Sequence, residues 1–215
     1  MKKLHKLILT SAAYRQISSV TPATARAAET DSENRLLWRA NRRKLEAEAV
    51  RDAVLFVSGQ LDPRMYGPGF QDFVIEKPEH SPHYEYEKFN PDDLSARRRS
   101  VYRFIVRSQQ QPFMTTLDCA DPSMLVARRN ESVSPLQALA LLNNSFMLAM
   151  AEAFARRLEA DYPDPTVRVA RAFSLALSRS STSVELDALT EFALKNGLPN
   201  ACRLLFNLNE FSFVD

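Results

Sequence analysis

Two stretches of this sequence carry residue types that could do chemistry. The first is Glu79-His-Ser-Pro-His-Tyr-Glu85, where His80 and His83 stand three positions apart between carboxylates. Imidazole and carboxylate together suit zinc or iron, so His80 and His83 are the candidate metal ligands. Pro78 and Pro82 keep the stretch from forming a helix, and the helical two-histidine zinc motif is therefore absent. Without a metal, the same residues read as a polar surface loop. The second stretch is Leu117-Asp-Cys-Ala-Asp-Pro122, in which Asp118 and Asp121 flank Cys119 within otherwise apolar surroundings. Burial would raise both carboxyl groups and create an acid/base pair, with Arg128 as the nearby cation. Read structurally, the two aspartates cap the turn and pair with Arg128 or Arg129. Cys119 has no histidine beside it in sequence, so a thiol–imidazole nucleophile needs the fold to bring His80 or His83 to it.

Other chemistries are excluded or weakened by what is missing. The sequence holds no GxSxG elbow, no phosphate-cradling glycine loop and no dinucleotide fingerprint. Its two cysteines, Cys119 and Cys202, cannot build a four-cysteine zinc site, and without CxxCH there is no covalent haem site in this chain. They read as two inert thiols, or as one disulfide in an oxidising compartment. Twenty-eight basic residues against twenty-six acidic ones give a net charge of +2, too balanced to imply nucleic acid as a partner. The arginine clusters at 97–99 and 128–129 read as solvated or salt-bridged. No apolar run approaches the ~20 residues of a transmembrane helix.

The elements that must position these residues are mostly helices. Leu4, Leu7, Ile8 and Tyr14 recur at helical spacing and predict an amphipathic helix over 3–16, docked on a core; the polar stretch 18–33 reads as a loop. Trp38, Leu45, Ala49, Val50, Ala53, Phe56, Val57 and Leu61 predict one long helix over 35–61. Residues 62–96 are rich in proline and glycine and predict a hairpin-like insertion, its strands marked by Phe73-Val-Ile75 and by Tyr84 and Tyr86. Residues 112–127 read as an irregular buried loop. Ser134-Pro-Leu-Gln137 is a helix start, and that helix is expected to run to about 160, with Asn143 and Asn144 as a polar crosslink on its apolar stripe. Asp164-Pro165 and Thr182-Ser-Val-Glu185 open two more helices, the latter stopping near Gly197, and a short helix follows over 199–208. The expected architecture is mainly α, an antiparallel helical array in a single domain over 1–215, with the small β insertion at 62–96 as its outlying part.

Five separated blocks carry a family resemblance. They are Leu4-His-Lys-Leu-Ile-Leu-Thr-Ser-Ala-Ala-Tyr-Arg-Gln16; Asn34-Arg-Leu-Leu-Trp-Arg39 with Arg42-Arg-Lys-Leu-Glu-Ala-Glu-Ala-Val-Arg-Asp52; Leu117-Asp-Cys-Ala-Asp-Pro-Ser123; Ser134-Pro-Leu-Gln-Ala-Leu-Ala-Leu-Leu-Asn143; and Asn207-Leu-Asn-Glu-Phe-Ser-Phe-Val-Asp215. In this order they resemble the planctomycete domain of unknown function fifteen fifty-three, also called the PSD-one domain. The resemblance implies the C-terminal part of a large extracytoplasmic protein, preceded by a cytochrome c-type domain and a companion domain. It supplies no reaction and no catalytic residues. Members carry a further helical segment upstream of the block at Leu4, so the chain is expected to be a fragment with exposed apolar surface. Two functions follow as expectations. One is a binding or assembly module of a cytochrome-linked protein. The other is a hydrolytic or oxidative domain for polysaccharide-derived substrates, which requires Asp118, Asp121, Arg128, His80 and His83 to converge.

Overall fold

Helix starts in this chain are set by side chains that take up the free N–H groups of a first turn. A computed structural model describes residues 1–76 and 81–214. Along the chain come α1 (Lys2–Thr10), α2 (Ala25–Thr30), β1 (Arg43–Lys44), α3 (Ala47–Val57), β2 (Val74–Glu76), β3 (His83–Glu85) and α4 (Pro112–Thr116). Then follow α5 (Pro135–Asn143), α6 (Ser145–Asp161), α7 (Pro165–Leu177), α8 (Ser183–Asn196), α9 (Leu198–Asn207), α10 (Asn209–Ser212) and β4 (Phe213–Val214). Single 3-10 turns lie at Pro22–Thr24, Leu94–Arg97 and Ser100–Tyr102. The fold is mainly α, as expected, and its described strands form only two small antiparallel pairs, β1 with β4 and β2 with β3.

The chain divides into two compact units, Met1–Lys44 with Phe213–Asp215, and Leu45–Ser212. In the first unit α1 is shorter than its periodicity predicts and none of its residues is buried, so Leu4, Leu7 and Ile8 stay exposed. The stretch expected to be loop holds a 3-10 turn and α2 instead. The long helix expected from residue 35 does not begin there. The Asp31 carboxylate accepts from the Arg35 and Leu36 N–H groups, while the buried Asn34 amide bonds both the N–H and the carbonyl of Arg39. Short polar side chains that capture backbone groups in this way compete with the helical ladder. Helix therefore starts only at Ala47.

The second unit holds the core. α3 contributes Val50, Val54 and Leu55; α6 contributes Met147, Met150, Phe154 and Leu158; α9 contributes Cys202, Leu205 and Phe206. The Phe154 and Phe206 rings stack at 5.6 Å, and Phe211 closes on Phe206 at 5.1 Å. Burying each such side chain stabilises the fold by roughly 1.5–3 kcal/mol. α7 lays Val169, Ala172 and Phe173 on this core, while α8 packs through half-buried Leu186, Leu189 and Phe192.

Two helices follow the capping logic closely. The Ser134 hydroxyl accepts from the Gln137 N–H, with Pro135 behind it, and Asp164 does the same for Val167 ahead of α7. The helix from Ser134 does not run on to 160, because Asn144 breaks it. Its backbone turns extended, its side chain accepts from the Phe146 N–H, and α5 meets α6 at a 54° bend. The expected crosslink is thus a cap, for the same reason as at Asn34.

At α8 the Thr182 hydroxyl and Glu185 carboxylate complete their reciprocal box, and Glu185 also holds Arg179 at 2.7 Å. The Arg179 guanidinium, then Thr182, lower Glu185 to about 2. A lowered carboxyl stabilises above its unfolded value and loses that contribution as pH falls through the folded one. Thr182→Ala is expected to cost about 1 kcal/mol in urea unfolding at neutral pH. The stability gap between the native chain and Glu185→Gln is expected to close between pH 4.5 and about 2. A gap independent of pH would refute the ion pair.

β2 and β3 form the expected hairpin, with Val74 opposite Glu85, Ile75 opposite Tyr84 and Glu76 opposite His83. Phe73 anchors it, edge-on to Tyr84 at 5.1 Å, Tyr86 at 5.5 Å and Phe104 at 6.0 Å. Two single bridges tie this part of the chain to the segment after it, Asp62 to Arg98 and Phe70 to Arg103. Gly69 is required there: a Cβ would fall 2.7 Å from the Tyr102 carbonyl oxygen. Residues 112–127 are not all irregular, because the Gln111 side chain accepts from the Met114 N–H and starts α4.

Candidate functional site

Arg51 occupies a core position of α3, one turn from Ala47 and from Leu55, and is 5% exposed. A buried guanidinium must place its N–H groups on acceptors. Arg51 donates to the Ala96 carbonyl at 2.5 Å, the Arg98 carbonyl at 3.0 Å and the Ser100 hydroxyl at 3.2 Å. Its plane lies 4.9 Å from the Phe70 ring centre and 5.4 Å from that of Phe146, so two aromatic faces receive the cation. Burial pushes Arg51 down to about 10, while Asp72 and Asp52 favour its charged form. It is a cation at neutral pH.

Beside it a cavity of about 230 Å3 opens between the hairpin and the starts of α4 and α6. Its charged lining is Arg51, Asp72, Glu87 and Arg97; Asn144 and Gln111 add amide groups, and Phe89, Phe113 and Phe146 add apolar wall. Asp72 is 9% exposed. Its Oδ2 lies 3.8 Å from Arg103 Nη1, and its Oδ1 is buried without a hydrogen-bond partner. Burial raises the Asp72 carboxyl above its ordinary value, and Arg103 and Arg51 only partly offset that. Buried polar atoms are normally satisfied, so an orphaned carboxylate oxygen on a cavity-lining residue marks Asp72 as a candidate functional group.

The sign of the Asp72 effect on stability follows. A carboxyl with a raised folded-state value binds its proton more tightly in the native state, so its contribution is present at low pH and lost as pH rises from 3.8 through the raised value. Relative to the native chain, Asp72→Asn is therefore expected to gain stability as pH rises from about 3 to about 7, read by urea unfolding at both. A relative loss over that range would sink the burial argument.

Of the residues that sequence reasoning selected, those described lie elsewhere. Asp118 adopts a left-handed backbone, and its carboxylate accepts from the Ser132 N–H and hydroxyl and from the Gln137 amide. Asp121 accepts from the Ser123 N–H at 2.8 Å and hydroxyl at 2.6 Å, and these bonds hold its carboxyl below the usual range. Both cap turns. Arg128 is exposed, and Arg129 pairs not with either aspartate but with Glu48 at 2.5 Å. The Cys119 thiol donates to the other Glu48 oxygen at 3.5 Å. Burial, with Glu48 next, raises that thiol, which keeps it protonated rather than nucleophilic. Cys119 and Cys202 are both free. His83 stands exposed on β3, and His80 lies outside the described residues. Among the described residues no group of three or more His, Cys, Asp or Glu is placed to hold a metal ion.

Sequence reasoning missed Arg51, Asp72 and Arg103. For Arg51 a signal existed: a charged residue between Ala47, Val54 and Leu55 on the apolar stripe of a helix has to be buried with partners. Asp72, lying between Phe70 and Phe73, offered a weaker form of the same signal.

Among the described residues no single helix is long and apolar enough to cross a membrane. No curated protein and no solved structure matches the chain. A family model described as Protein of unknown function (DUF1553) matches residues 1–193 of the 215, and the chain therefore belongs to that family.

Proposed function

We propose that residues 45–212 form a ligand-binding module that takes a small polar molecule into the cavity between Arg51 and Asp72. The observation that carries this reading is the buried Asp72 Oδ1, without a partner at the edge of a space of about 230 Å3. At about 30 Å3 per water, a ligand there displaces roughly eight waters, so it is a small molecule or one unit of a larger one. Amide and charged groups set over aromatic wall suit a hydroxylated compound, whose O–H groups donate to Asp72 and accept from Asn144 or Gln111. The setting we propose is extracytoplasmic, in a protein that also carries cytochrome c-type and companion domains; the family resemblance supports it.

Saturable binding by at least one member of a panel of monosaccharides, polyols and sugar acids is expected in titration calorimetry. Ser145 lies exposed where α6 borders the cavity. Ser145→Phe fills the mouth and is expected to abolish binding while leaving the unfolding midpoint in place. Binding that survives this substitution, or no binding at all, would overturn the reading.

A second reading, a hydrolytic or oxidative domain acting on polysaccharide-derived substrates, is favoured by one observation. Asp72 is a buried carboxyl with a raised value beside a cavity, the environment in which a general acid works. Turnover of glycan substrates that is lost in Asp72→Asn would establish it and displace the first.

A further inference from the structure

A second cavity, of about 160 Å3, adjoins the first, and Tyr86, Gln111 and Met114 line both. The Arg103 side chain lines this second space and is only 6% exposed. Its Nε is buried without a hydrogen-bond partner, and its Nη1 stands 3.8 Å from Asp72 Oδ2, beyond hydrogen-bond length. The other charged groups around the second cavity are already engaged. Glu48 is held by Arg129 at 2.5 Å and receives the Cys119 thiol. Of the other arginines around the two cavities, Arg51 lies 3.7 Å from Asp52, Arg97 lies 3.5 Å from Asp92, and Arg129 is held by Glu48.

Resting on the binding reading above, we infer that the ligand is a small hydroxylated carboxylic acid, its hydroxyl-bearing body in the first cavity and its carboxylate on Arg103 in the second. The two orphaned atoms require opposite partners. Asp72 Oδ1 needs a donor, which a hydroxyl provides, and Arg103 Nε needs an acceptor, which a carboxylate provides. A single molecule bearing both groups satisfies both across the shared wall. A monoanion places one negative charge on Arg103, whereas a phosphate dianion would bring a second towards Glu48. Arg103 thereby selects for the acid over its neutral counterpart.

The test compares matched pairs on the full chain by titration calorimetry: glucuronate against glucose, and gluconate against glucitol. In at least one pair the acid is expected to bind at least tenfold more tightly than its partner. Arg103→Gln is expected to bring that ratio to within about twofold. If Arg103→Gln does not fold, Arg103→Lys, which keeps the charge but loses the planar fork, is expected to reduce the ratio severalfold. Equal affinity within every pair on the native chain overturns the inference and leaves the binding reading standing. A preference for the acid that survives Arg103→Gln, or Arg103→Lys in its place, also overturns it. Failure of all four probes to bind overturns the inference, and the binding reading falls with it only if the rest of its panel also fails.

Discussion

Arg51→Met is expected to lower the unfolding free energy by about 3–5 kcal/mol, the loss found when one member of a buried charged network is removed. Methionine fills a similar volume between Phe70 and Phe146, so the cavity term is small. What remains is polar. The Ala96 and Arg98 carbonyls and the Ser100 hydroxyl lose their donor. Asp52 also loses a cation 3.7 Å away, although its carboxylate still accepts from the Ser100 N–H at 2.6 Å. Set against a typical total of about 5–15 kcal/mol, the loss consumes much of the margin. Arg51→Lys keeps the charge but cannot reach three acceptors at once, and is expected to fall between. Urea unfolding followed by circular dichroism reads both. A loss below about 1 kcal/mol in Arg51→Met would show that the network contributes geometry without net stability, an outcome known for buried ion groups.

Phe206→Ala is expected to be as damaging, by about 3–5 kcal/mol, through a different mechanism. Phe206 is fully buried on α9 between the Phe154 and Phe211 rings. Removing the ring deletes both aromatic contacts and leaves a void where helices α6, α9 and α10 meet, in an interior too closely packed to collapse fully. Phe206→Leu, nearer in volume, is expected to cost about 1.5 kcal/mol or less. The contrast between the two substitutions separates packing from polarity. If Leu were as costly as Ala, ring stacking rather than volume would be the governing term.

The helical half of the fold is legible in the sequence because its boundaries are local chemistry. Ser134, Asp164 and Thr182 each cap the helix they were expected to cap, and Gly197 ends α8. The hairpin is legible too, from alternation around Phe73 and Tyr84. Where the reading fails, at Asn34 and Asn144, apolar spacing continues through a residue whose side chain takes the backbone for itself. Periodicity records which faces are greasy, not whether the chain stays helical between them. The site was harder to read for a related reason. His80, His83, Asp118 and Asp121 attract attention because they are close in sequence. Arg51, Asp72 and Arg103 meet only after folding, across separations that no motif spans.

Because the chain breaks at Asn144, the cavity beside Arg51 tolerates change upstream of it. In an uninterrupted helix every residue inherits an angular address from the one before, about 100° further round the axis. Asn144 cancels that inheritance, so the face α6 turns towards Arg51 is set afresh at its own first turn. Phe146 is therefore insulated from registry errors upstream. A residue inserted into α5 would shift Leu141 from its seat while leaving the aromatic lid of the guanidinium where it is.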